Sequence, residues 1–356
     1  MHSFKLKGPL TAEEQFWRIK SQVDDFRVVE VLFPFKHCAP FESHTAITLK
    51  KTNLTTFQAV ELLARHTSTS IQDWQYAGLK DEDGLTTQTL IFNGTMSVEQ
   101  VLATQSKSQE SLQDKQSIFL EYAGTCDQSL EPGSLLGNAF SILLNDVSPE
   151  EHAWIRRNEK RTLSFVNYYD SQRFGFPGHP KHSHTIGRLL NEGQFQDAYE
   201  LYYVGCPSAQ QEQLIDGQSH ADFFHHLAPH RKAFYLSSWQ SSAWNAALGQ
   251  LLSDTGHPHI VEVELEGLNF RFTEHATIPL LGERHPLLPY VGFRAKGKEI
   301  VRVNKNRTTI CSTNYSVVEQ DLNSIRVAFF LPAGSYATMF LKQLYVFCRL
   351  DLADSI

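Results

Sequence analysis

No stretch of about twenty consecutive apolar residues occurs in the chain, so no membrane-spanning helix is expected. The opening Met1-His2-Ser3-Phe4-Lys5-Leu6-Lys7 has neither an apolar core nor a small-residue cleavage site, so no signal peptide is expected. Paired cysteines are missing as well. Cys38, Cys126, Cys206, Cys311 and Cys348 are odd in number, far apart and without a Cys-x-x-Cys pair. That argues for reduced thiols in a cytoplasmic protein, not for a disulfide framework or a zinc site. Neither glycine-rich phosphate fingerprint, G-x-G-x-x-G or G-x-x-x-x-G-K-[ST], is present, and G-x-S-x-G is absent, so nucleotide-dependent and serine-hydrolase readings lose their support. Excess positive charge is also lacking. The net charge of -7 argues against a nucleic-acid partner by itself, yet phosphate binding needs only a local cluster of cations.

What is there is an ordinary globular composition, 41% hydrophobic and 20% charged, over 356 residues, which suggests two domains. Asp25 to Leu32 and Ala46 to Lys50 read as strands. Thr55 and Gln58 have capping-box spacing at the start of a helix whose apolar face is expected to hold Phe57, Val60, Leu63 and Ala64. Strands are expected from Trp74 to Gly78 and from Thr87 to Phe92, on either side of the charged turn Leu79-Lys80-Asp81-Glu82-Asp83-Gly84. Residues 104–117 are rich in Gln and Ser and read as a solvated loop or surface element. A strand running from Gly137 to Val147 precedes Ser148-Pro149-Glu150-Glu151, a helix start with Ser at the cap and Pro in the first turn. Between about 166 and 312 the texture changes: histidines, Gly and Pro accumulate and the strand–helix rhythm fades. The strand pattern returns at Ile325 to Leu331 before an apolar helix. Strand-rich ends around a different middle imply an α+β domain, residues 1–165 and 313–356, interrupted by an inserted domain at 166–312.

Three features could carry chemistry. The turn at 80–84 places three carboxylates between two strands, where loops commonly hold functional groups; on pattern alone a solvated hairpin is the favoured explanation. His179, His182 and His184 are closely spaced but have no companion cysteine or carboxylate, which favours a surface loop over a metal site. Arg294, Lys296, Lys298, Arg302, Lys305 and Arg307 form a strip of six cations around the single anion Glu299. It reads either as a phosphate-neutralising strip or as a solvated basic face.

Six blocks, in order, resemble the TruD family of pseudouridine synthases. They are Ile19-Lys20 with Asp24-Asp25-Phe26-Arg27-Val28-Val29-Glu30; Asn53-Leu54-Thr55-Thr56; Tyr76-Ala77-Gly78-Leu79-Lys80-Asp81 with Thr87-Gln88; Gly137-Asn138-Ala139-Phe140; Asn167-Tyr168-Tyr169-Asp170-Ser171-Gln172-Arg173-Phe174-Gly175; and Leu331-Pro332-Ala333-Gly334-Ser335-Tyr336-Ala337-Thr338. The resemblance implies a pseudouridine-synthase-like mixed, mainly antiparallel sheet with flanking helices, interrupted by an inserted α/β TRUD domain. It also implies a cofactor-free and metal-free isomerisation of uridine in RNA, with tRNA and a D-arm uridine as the usual target, by a monomer.

Asp81 takes the position of the nucleophile and Lys20 that of its cationic partner. Attack by Asp81 falls on either the base or the sugar, and a carboxylate facing a stacked base must stay ionised; burial opposes this and a nearby cation favours it. Lys80 is the poorer partner, because successive strand residues face opposite ways. Phe140 is implied to stack on the flipped base, Asn138 and Gln88 to hydrogen-bond around it, and Arg173 and the basic strip to hold phosphates. The block departs from the family at Glu82 and Asp83, where members carry basic or small residues, at Leu79, and at Asp170 in place of glycine. Alternatives are an RNA-binding relative that has lost the chemistry, or a synthase for an RNA other than tRNA. A hydrolase using the carboxylates of this turn is disfavoured, since such pairs stand about 5–9 Å apart across the scissile bond.

Overall fold

The computed structural model describes residues 16–34, 44–127, 129–130, 132–175, 182–205, 213–255, 260–265, 268–273 and 287–353. In chain order the elements begin with β1 (Phe26–Leu32), β2 (His44–Thr52), α1 (Thr56–Thr67), β3 (Trp74–Tyr76), β4 (Leu85–Phe92), α2 (Val98–Glu110), β5 (Ser117–Cys126), β6 (Leu135–Asn145) and α3 (Pro149–Arg157). Next come β7 (Leu163–Val166), α4 (Ser183–Glu192), α5 (Phe195–Gly205), α6 (His220–His226), α7 (Pro229–Asp254), β8 (Val261–Leu265) and β9 (Leu268–Phe272). The last are β10 (Leu287–Lys296), β11 (Glu299–Thr308), β12 (Ile310–Thr313), β13 (Tyr315–Asp321), β14 (Ser324–Pro332) and α8 (Ala337–Ala353). Two compact units result. Among the described residues, one joins 16–162, Thr313–Gly334 and 345–353; the other joins Leu163–Ser312 and Ser335–Leu344. Among the described residues no helix is long and apolar enough to cross a membrane.

The first unit is built on an eight-stranded sheet in the order β13-β14-β6-β1-β4-β2-β5, with β3 on β4. Of its described pairings β1–β4 is parallel and the others antiparallel. This is the expected α+β, mainly antiparallel architecture. Alternation sets the faces: Ile47 and Leu49 of β2 turn inward with Leu90 of β4 and Ile118 and Leu120 of β5, and the helices supply Ala59, Val60, Leu63, Ala64 and Val101 to the same core. Both capping boxes form. Thr55 Oγ1 accepts from Gln58 N at 3.1 Å while Gln58 Oε1 accepts from Thr55 N at 2.8 Å. Ser148 and Glu151 do the same around Pro149.

One expectation fails here. Phe57 is 50% exposed, because the buried stripe of α1 is centred on Ala59, Val60 and Leu63 instead. The first half of the Gln/Ser-rich stretch is a surface helix and not a loop, with α2 running to Glu110 from a Ser97–Gln100 capping box. Its glutamines also have a task. Gln105 Oε1 and Gln109 Oε1, one turn apart, accept from Leu120 N at 2.8 Å and Ile118 N at 3.0 Å along β5, the edge strand, and so close an edge that otherwise invites pairing.

In the second unit, α4, α5, α6 and α7 enclose a core of Ile186, Leu189, Ala198, Tyr202, Phe223, Phe224 and Tyr235. Three two-stranded ladders, β7–β12, β8–β9 and the hairpin β10–β11, complete it.

β6 and β14 approach closely at Gly137, where a Cβ would stand 2.2 Å from Leu331 O. Gly137→Ala is therefore expected to lower stability by about 1–3 kcal/mol, the usual penalty of overpacking. Urea unfolding checks this, and an unchanged midpoint would contradict it.

Candidate active site

The turn at 79–84 is held from four directions within the first unit. Lys80 N donates to Thr56 Oγ1 at 3.0 Å, and that hydroxyl donates to Gln88 Oε1 at 2.8 Å. Gln88 Nε2 reaches Gly78 O at 3.4 Å, a weak bond. The Lys80 ammonium, its side chain 4% exposed, pairs with Glu30 Oε1 at 2.7 Å. Glu30 sits where β1 and β4 part: their ladder ends at Val29 and Thr87, and Glu30 Oε2 takes the next free N–H, that of Thr89, at 3.0 Å. Asp81 O accepts from Lys51 Nζ at 2.7 Å. Gly84 closes the turn so tightly on β1 that a Cβ there would lie 2.6 Å from Phe26 O.

With the backbone held, the Asp81 side chain stays one-third exposed and meets Lys20, whose Nζ stands 3.6 Å from Asp81 Oδ1. Lys20 adopts a left-handed backbone, φ 59°, and its ammonium lies 4.3 Å above the centroid of Phe26. Phe26 meets Phe140 edge-on at 6.2 Å, and Phe140 stacks on Phe329 at 5.4 Å. Phe140 is 7% exposed and thus part of a three-ring cluster. Two residues along β6, on the same face, Asn138 pairs in register with Glu30 and Leu331; its Oδ1 is buried without a hydrogen-bond partner. Asp81, Lys20, Asn138, Phe140 and Gln88 are therefore gathered in one unit, although Gln88 is 1% exposed and engaged by Thr56.

A family pattern described as tRNA pseudouridine synthase D (TruD) matches residues 11–221. The chain belongs to the TruD family. Membership makes it a pseudouridine synthase, an isomerase. It is 26% identical to the tRNA pseudouridine synthase D of Colwellia psychrerythraea, over 92% of this chain and 89% of that protein. The corresponding protein of Actinobacillus succinogenes is also 26% identical, over 94% and 96%. The crystal structure of a TruD protein from Methanosarcina mazei matches with a TM-score of 0.57 over 93% of each chain at 19% identity, a likeness of fold.

The remaining candidates of this TruD chain lie in the second unit. Arg173 Nε donates to Ser241 Oγ at 3.2 Å, and its guanidinium lies over the rings of Phe234 and Tyr169. The basic strip forms the hairpin β10–β11. Arg294 and Lys296, with Lys305 across the ladder, are exposed on one face; Arg302 is exposed on the other and Lys298 in the turn. Arg307 differs. Its Nη2 donates to Asn167 O at 2.7 Å and its guanidinium stacks 3.9 Å from the Tyr169 centroid, which ties the hairpin to the Asn167-Tyr168-Tyr169 segment.

Of the histidines, His179 lies outside the described residues, and His182 precedes α4. His184 is half-buried, its pKa pulled below the usual value by burial and by His182. Among the described residues no three His, Cys, Asp or Glu side chains converge as a metal would require. Cys126, Cys311 and Cys348 are buried thiols.

Sequence reasoning missed Lys51 and the Glu30–Lys80 pair. For Lys51 the signal was available. The expected strand stopped at Lys50, and one more step of alternation after Leu49 turns Lys51 inward. For Glu30 it was not, because the gap between β1 and β4 is a tertiary feature. Removing one member of a buried pair strands the other charge, so Glu30→Gln is expected to cost about 3–5 kcal/mol. Chemical unfolding measures it; a loss below about 1 kcal/mol would mean that the pair is hydrated.

Proposed function

We propose that this TruD chain converts one uridine of tRNA, in the D arm, to pseudouridine, and that Asp81 is the nucleophile acting on a flipped-out base. The observation that carries the reading is the Lys20–Asp81 contact of 3.6 Å on a turn whose backbone is fixed independently of the carboxylate. The N1–C1′ bond breaks, a C5–C1′ bond forms, the proton on C5 leaves and N1 gains one, so the product is an isomer and the sum of atoms is unchanged. Asp81 holds one fragment covalently while the base turns. Lys20 keeps the carboxylate charged in a site that a stacked base dries out. Asn138, with a buried acceptor left open, supports recognition of an N–H on the uracil edge. Phe140 serves as the stacking ring. Only 7% of that residue is exposed, so stacking requires the cluster with Phe26 and Phe329 to open.

Residues 166–312 are read as the inserted TRUD domain beside a two-segment catalytic domain, in a cytoplasmic monomer. Arg294, Lys296, Lys298, Arg302 and Lys305 supply backbone contacts to the RNA, and Arg173 does so from within its aromatic surround. Arg307 secures the hairpin that carries them.

Asp81→Asn is expected to fold with an unchanged unfolding midpoint and to give no pseudouridine on a tRNA transcript; full activity of that variant removes the nucleophile assignment. For the hairpin, Arg294→Glu with Lys296→Glu takes two cations from one face. The slope of log affinity against log salt should become shallower by about 1.4–1.8. An unaltered slope in filter binding moves the RNA path off this face.

A further inference from the structure

Lys51 is buried with no exposed surface, on β2, where alternation turns it inward between Thr86 of β4 and Ile118 of β5. An ammonium is kept out of water only where it is paired or fully hydrogen-bonded. Here it donates to Leu54 O at 2.5 Å, just before the cap of α1, and to Asp81 O at 2.7 Å. One side chain therefore ties the start of a core helix to the backbone of the nucleophile's turn. The charged groups that face it all come from that turn. Asp81, Glu82 and Asp83 favour its charge and Lys80 opposes it; burial is the largest influence and, with Lys80, outweighs the three carboxylates and lowers its pKa to about 8. Glu82 and Asp83, which set this chain apart from the family pattern at the catalytic block, thus act as counter-charge to a buried cation.

We propose that Lys51 is a positioning residue for the isomerisation: its ammonium fixes the carbonyl of Asp81 and thereby the direction in which the Asp81 carboxylate meets Lys20. The inference rests on Asp81 being the nucleophile. Loss of the charge weakens the bond to Asp81 O and leaves three carboxylates in the turn without the buried cation that offsets them. Substrate binding, which Lys51 does not touch, is left as it was.

The test uses the full chain and a tRNA transcript carrying tritium at uridine C5, whose release into water reports loss of the C5 proton. The wild-type kcat should fall as pH rises through about 8, with KM steady. That fall is not unfolding. The folded pKa lies below the usual lysine value of 10.5, so between about 8 and 10.5 the unfolded chain holds more protons, and this group adds stability as pH rises. Lys51→Met should lower kcat by about 100-fold with KM little changed, the scale of loss when a reacting group is misplaced by about 1 Å. It should also lose the alkaline limb. Lys51→Arg, which stays charged, should recover rate at pH 9.

A wild-type kcat that is flat to pH 9, or Lys51→Met turning over at the wild-type rate, overturns the proposal. If Lys51→Met fails to fold, the wild-type profile decides alone: an alkaline limb with an unchanged unfolding midpoint supports the role, and a flat profile removes it. Asp81→Asn in the same assay separates the two readings. Full activity there overturns the nucleophile and the positioning role with it. An inactive Asp81→Asn beside a fully active Lys51→Met overturns the positioning role alone.

Discussion

Three consecutive carboxylates, Asp81, Glu82 and Asp83, repel one another and repel an approaching phosphate, so the turn that carries them depends on cations supplied from inside the fold. Two unit charges about 4 Å apart interact by about 4 kcal/mol near a protein surface, enough to displace an untethered loop. Lys80 is anchored by Glu30, Lys51 by two backbone carbonyls, and Lys20 meets the carboxylate of Asp81 itself. Each lysine comes from a different part of the chain. The arrangement therefore forms only when β1, β2 and β4 lie side by side. Glu30 in turn completes the sheet where β1 and β4 separate, so the ion pair serves the ladder as well as the turn.

That division of labour lets an acidic protein hold the carboxylate proposed as the nucleophile. The cations nearest the turn are spent on holding it and are mostly buried, while the exposed cations of the hairpin belong to the other compact unit. In the proposed reading, phosphate attraction and positioning of the nucleophile thus fall to different residues. The aromatic cluster separates roles in the same way: Phe26 takes the ammonium of Lys20 on its face and the edge of Phe140 beside it, linking the charged pair to the ring proposed for the base.

Local rules were enough for much of the fold. The capping boxes at Thr55–Gln58 and Ser148–Glu151 involve residues three apart and form as read. The run of strands flanking the acidic turn was legible for the same reason, since alternation is a local property. Phe57 was misplaced because helix periodicity gives an apolar arc but not which part of it meets the sheet. For the Gln/Ser-rich stretch, loop and surface element stayed open because polar composition resembles a loop until an edge strand is present to use its amides.

By itself, the sequence determined the family, the order of its blocks and the candidates Asp81, Lys20, Asn138 and Phe140, because those are written as contiguous motifs. Tertiary structure alone decided that Lys80 pairs with Glu30, that Lys51 grips the carbonyl of Asp81, and that Phe140 is packed among other rings. Arg307, one cation of a strip in the sequence, became a hairpin anchor only by meeting Asn167 and Tyr169. The physical reason is common to all four. The worth of a charge or a ring depends on its burial and its partners, and both are set by residues tens to hundreds of positions away.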